Sequence, residues 1–130
     1  MHALKDAQLI RQRALPAAGA SASTDPINLT QAPPHECHFE LELTLPALPS
    51  LADGKKVTVE LEDSADGENF TAIAALASLE VTGAGGGGSP ETIRRVRLPA
   101  DTRQHVRATA AVEAAGGDNT AKSLTLALVF

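Results

Sequence analysis

The side chains with the most reactive chemistry fall into three groups. His35, Cys37 and His38, in the run HECH, are zinc-ligand types. Along an extended backbone His35 and Cys37 share a face while His38 points away, and no fourth ligand of matching type is close in sequence. A polar lead-in to the first core strand is therefore expected in place of a metal centre. Cys37 paired with a histidine as a nucleophile is weaker still, because nothing nearby supplies a helix N-terminus to lower the thiol pKa. Asp63, Asp66 and Glu68 offer hard oxygen donors for calcium, yet the EF-hand pattern needs a ligand where Ala65 stands. These acids are expected to form a self-satisfied turn. The third group, Arg94, Arg95, Arg97, Arg103 and Arg107, is basic, but with 2% aromatic residues the chain has no stacking platform for single-stranded nucleic acid. Arginine contacts to the carboxylates of a protein partner fit better, with Arg94 and Arg95 foremost.

Recognised catalytic motifs are missing: the chain has no H-E-x-x-H, G-x-S-x-G or paired C-x-x-C. The run Gly83–Ser89 (GAGGGGS) lacks the Gly-Lys-Ser/Thr ending of a phosphate loop and is followed by no helix pattern, so it is expected to be a mobile hairpin tip. The residues thus imply a protein that is not an enzyme and needs no metal or cofactor.

The elements that position these groups follow from composition and period. A chain of 130 residues suits one domain with a two-layer core. With no Trp or Tyr, that core must be built from Leu, Val, Ile and Ala. Small side chains bury less area each, at about 25 cal/mol per Å², so burial in an assembly would offset a modest monomer stability. The net charge of −5 argues against general binding to nucleic acid or anionic membrane. Charge is segregated, with most acids at 36–68 and most arginines at 11–13 and 94–107, which could give complementary patches between subunits. One cysteine excludes an internal disulfide framework. No apolar run approaches the ~18 residues of a membrane span and the first residues lack the apolar core of a signal peptide, so a soluble, unexported protein is expected.

Residues 1–35 are expected to form an extended N-terminal arm. Leu4, Leu9, Ile10 and Leu15 fit a short helix stopped by Pro16 and Gly19, and 26–30 fit a brief strand. From 36 to 130 the pattern is β. Phe39, Leu41, Leu43 and Leu45 alternate with polar residues until Pro46. In KKVTVELEDSADGENF, Val57, Val59 and Leu61 alternate with Thr58, Glu60 and Glu62, an acidic turn follows, and Phe70 is the expected apolar anchor of the returning strand. Further strands are expected over 68–81, 92–98, 104–114 and 122–130, the last with Leu124, Leu126, Leu128 and Phe130 on one face. Short strands spaced by turns predict an all-β antiparallel sandwich or jelly roll.

Three stretches carry a resemblance. Asp6–Ala7–Gln8 followed by Ser23–Thr24–Asp25–Pro26–Ile27–Asn28–Leu29 resembles the opening of small tailed-phage capsid cement, or decoration, proteins, with Asn28 where an Asp is usual. LEDSADGENF resembles their strand, S-x-D-G, aromatic hairpin, and Leu98–Pro99 with Val106–Arg107–Ala108 resembles their late strand pair. The resemblance implies a jelly-roll-like body made in the host cytoplasm and bound as a dimer or trimer to the outer surface of the virion capsid. There it would clamp the major capsid protein, the arm contributing Leu9, Ile10, Ile27 and Leu29 as apolar contacts beside Arg11 and Arg13. The competing class is a β-sandwich recognition module of a phage tail, for instance for carbohydrate, although sugar platforms normally use the exposed Trp or Tyr that this chain lacks.

Overall fold

A computed structural model of the chain describes residues 5–29, 40–99 and 101–129, with side chains from Ile10 onward. His35, Cys37, His38, Phe39 and Phe130 lie outside the described residues. Ten strands carry the described chain: β1 (Lys5–Ala14), β2 (Ser21–Ser23), β3 (Ile27–Asn28), β4 (Glu40–Leu45), β5 (Lys56–Ser64), β6 (Thr71–Ala72), β7 (Leu79–Thr82), β8 (Thr92–Val96), β9 (His105–Val112) and β10 (Ser123–Val129). No α-helix occurs among the described residues.

The strands form two antiparallel sheets. The first runs β1-β10-β4-β8; in the second, β9 and β5 form the centre. β2 and β3 both pair with β9 and make one broken edge strand, and β6 and β7 do the same along β5. Counted as lanes, the described residues form four strands on four. Successive lanes alternate between sheets everywhere except at β5 to β6/β7, a hairpin within one sheet. That winding is an antiparallel jelly roll.

Period-two patterning explains the layers. Val57, Val59 and Leu61 of β5, Val106, Ala108, Ala110 and Val112 of β9, Leu41, Leu43 and Leu45 of β4 and Leu124, Leu126 and Leu128 of β10 all point into the space between the sheets and are buried. Their neighbours Thr58, Glu60, Arg107 and Thr109 point outward. Two glycines permit the close approach of loops at one end of the sandwich. A Cβ on Gly83 would strike the carbonyl of Ala52, and one on Gly88 would strike that of Leu48. The glycine run expected to be only a mobile tip is therefore anchored at Gly83 and Gly88, where Ala84 bridges Gly88 and Ser89 bridges Leu48.

Three expectations need correction. Residues 5–14 are a strand and not a helix: β10 is an inner strand whose second side needs a hydrogen-bonded partner, and β1 supplies it, so tertiary pairing overrides local propensity. The described part of the expected arm is likewise built into the body. Leu15 and Ile27 lie in the core, and β2 and β3 complete the second sheet. The stretch 68–81 is not continuous strand either. After Thr71–Ala72 the chain turns at Ile73, whose N–H donates to Leu61 O, and it rejoins β5 only at Leu79.

Candidate functional site

Polar side chains gather in three places. On the outer face of the second sheet, the facing positions of β5, β9 and β2 bring Glu62, Arg107, Thr109 and Ser23 into one network. Arg107 Nε donates to Glu62 Oε1 at 2.8 Å and Thr109 Oγ1 donates to the same oxygen at 2.7 Å, while Ser23 Oγ lies 2.7 Å from Thr109 Oγ1. The Arg107 guanidinium also stacks 4.0 Å from the centre of the Phe70 ring. Phe70 is therefore a half-buried cover on the outer face, not the core anchor expected of it, because the turn ahead of it swings the chain outward over β9.

That turn is built by Asp66. Its Oδ1 accepts from Glu68 N and Asn69 N, each at 2.9 Å, and from Ser64 Oγ at 2.7 Å, while Oδ2 accepts from the Asn69 side chain at 2.8 Å. The backbone N–H groups of Asn69 and Glu68, followed by the Ser64 hydroxyl and the Asn69 amide, hold the Asp66 carboxyl well below the usual carboxylate range. Both oxygens are thus committed to the chain's own donors. Ser64 and His105 face each other across β5 and β9, which with Asp66 assembles the residue types of a nucleophilic triad. The geometry does not use them so. Ser64 is fully buried and its hydroxyl donates to Asp66 while accepting from Gly67 N at 3.0 Å.

At the same end of the molecule Asp63 turns inward and is clamped by Arg103. Arg103 Nε and Nη2 reach Asp63 Oδ1 at 3.1 and 2.7 Å, the Arg103 N–H donates to Oδ2 at 3.1 Å, and Nη2 also contacts Thr71 Oγ1. Burial raises the Asp63 pKa, but the guanidinium and N–H of Arg103 outweigh it and leave the carboxyl below its ordinary value. Beside this pair is a cavity of about 450 Å³ lined by Thr71, Ala72, Ile73, Pro99, Asp101 and Arg103, among others.

The third group is arginine at the margins of the first sheet. Arg11 lies opposite Leu126 and Arg94 opposite Leu43, so both point inward from edge strands. Arg11 Nε donates to Pro26 O at 3.3 Å, and Arg94 Nη1 donates to Ala77 O and Ser78 O at 3.1 and 3.2 Å. Each guanidinium closes one open side of the sandwich by capping the break in the opposing sheet's edge strand. Arg95 faces outward and pairs with Glu42 at 2.9 Å.

The residues expected to meet a partner are therefore dispersed. Ile27 is fully buried in its own domain and cannot be a surface contact, Leu29 packs against the core, and Ile10 is half-buried on β1. Arg13 is exposed on β1, and the side chain of Leu9 lies outside the described residues. Arg94 is turned inward, and Arg95 is on the surface. The pairs Glu62–Arg107 and Asp63–Arg103 were not foreseen from sequence. Strand parity puts Glu62 and Arg107 on outer faces, but which strands are neighbours is set by topology, and the partners are 45 and 40 residues apart.

The fold and these pairs define a jelly-roll sandwich in which Glu42, Glu62 and Asp63 are each paired with an arginine of the chain itself. No protein-family model matches the sequence, and no curated protein is significantly similar to it. Several solved structures share the fold. The PBSX exported protein XepA matches with a TM-score of 0.56 at 14% identity over 91% of this chain, and PirA matches with a TM-score of 0.50 at 10% identity over 95% of both chains. This chain spans about a third of XepA, 34% of its length.

Proposed function

We propose that this chain is a structural protein of a tailed-phage particle, a capsid cement protein that binds the outside of the head, associates with its own copies and bridges major capsid subunits. The observation that carries this reading is the convergence of the three stretches resembling that family. Asn28 pairs with His105 and His105 with Ser64, so the S-T-D-x-I-N-L segment, the late strand and the S-x-D-G turn lie side by side at one end of one sheet. The likeness of fold to a PBSX exported protein supports a phage-related setting. A small rigid body repeated over a lattice needs only modest contact per copy, because avidity multiplies it.

Residues 5–28 belong to the sandwich, so among the described residues contacts to the shell fall to surface positions of the body. Sedimentation of the purified protein with DNA-filled heads or with isolated tails tests the proposal. Saturable pelleting with heads is expected; pelleting with tails alone would favour a tail recognition module, and pelleting with neither would end both readings.

A further inference from the structure

The first sheet ends at β8, and no described strand pairs with the far side of that edge. Its outward row is Ile93, Arg95 and Arg97. Ile93 is 56% exposed, the one large hydrophobic side chain among the described residues left so open. Arg95 is held by Glu42 through Nε alone, and its side chain remains 45% exposed. Arg97 is exposed and makes no hydrogen bond or ion pair with the described residues. An edge with no partner strand among the described residues, carrying one apolar and two basic side chains on the same face, is a template for strand addition.

We infer that β8 accepts an extended acidic segment of another protein as a fifth, antiparallel strand of the first sheet. Charge selects the occupant. A second copy docking antiparallel on β8 brings like charges together in the registers centred on the outward row, Arg95 opposite Arg95 or Arg95 opposite Arg97, which is destabilising for directly opposed residues. The fitting strand has carboxylates opposite Arg97 and Arg95 and an aliphatic residue opposite Ile93. The chain already contains half of this arrangement, since Glu42 of β4 lies opposite Arg95 on the inner side of the edge. Arg94, turned away to Ala77 and Ser78, keeps the inward row of β8 closed, so specificity falls on the outward row. This inference does not depend on the capsid reading.

The probe is the labelled peptide Glu-Val-Glu-Thr-Leu-Val, whose register matches that row, titrated into the whole protein. Fluorescence polarisation gives the affinity and amide hydrogen exchange gives the location. Binding is expected with slowed exchange confined to β8. Arg95→Glu with Arg97→Glu should weaken it about tenfold or more, whereas Lys55→Glu with Lys122→Glu, an equal change of net charge elsewhere, should leave it within about twofold. A peptide with proline at its central positions should not bind. Absence of binding, protection away from β8, or equal binding by the arginine and lysine double variants would overturn the inference.

Discussion

The outer face of β9 and β5 and the margin at β8 are both rich in arginine, yet they use it differently. Arg107 is enclosed by Glu62 and Phe70, with Thr109 sharing the carboxylate, so its charge is satisfied by its own sheet. Arg95 is only partly satisfied, and Arg97 has no partner among the described residues. A charge the chain has already neutralised contributes to folding; a charge it leaves in water is available for recognition. Changes on the first face should therefore read out in stability, and changes at the second in binding.

The comparison breaks most severely if the body itself is cut. Removing residues 1–28 deletes β1, β2 and β3 together with Leu15 and Ile27, and is expected to abolish cooperative unfolding in urea, although the same cut through a free arm would leave it intact. Ile27→Ala alone should cost about 2–5 kcal/mol in the same assay, the range for a large aliphatic side chain lost from a packed core. Arg103→Ala, which strips the Asp63 carboxylate of its guanidinium, should cost about 1–3 kcal/mol, less than a wholly buried pair because the arginine is partly in water.

Acid sharpens the contrast. Asp63, Asp66 and Asp118 all have folded pKa values below their unfolded ones, the last through the hydroxyl and N–H of Thr120. A depressed carboxylate contributes stability that is fully present above the unfolded pKa of about 3.9 and is lost as pH falls through the folded value. Thermal unfolding should thus be insensitive to these groups near pH 7 and fall in midpoint below about pH 4, with Asp66→Asn flattening that fall. The smallest effect belongs to the β8 margin. Arg97→Glu should shift stability by less than about 1 kcal/mol, because an exposed charge contributes little.

Much of the sandwich was legible in the sequence where one face of a strand is buried and the other wet. β5 and β9 announce themselves through strict alternation. β4 and β10 do so through their inward leucines, although Glu42, Ala127 and Val129 on the outer rows are also buried. Asp66–Gly67 marks its turn by side-chain chemistry that acts within five residues. β1 was not legible, because Leu9, Ile10 and Leu15 fit a helical period and only the unpaired side of β10 decides against it. The break at 73–78 was hidden in an alanine-rich stretch with no Gly or Pro. Arg94 was misread for a related reason: in a strand carrying Arg94, Arg95 and Arg97, parity has no hydrophobic face to fix it, and the inward row is chosen by pairing with Leu41, Leu43 and Leu45. Of the candidate contacts, Arg95 was legible as surface chemistry and Ile27 was not legible as core, since a two-residue strand carries no period.

The central claim is that this jelly roll acts by holding other proteins together on a phage head. Single-particle reconstruction of heads incubated with saturating protein is the most direct test. The account predicts ordered density for the sandwich on the outer surface, touching neighbouring major capsid subunits; bare heads at saturation would contradict it.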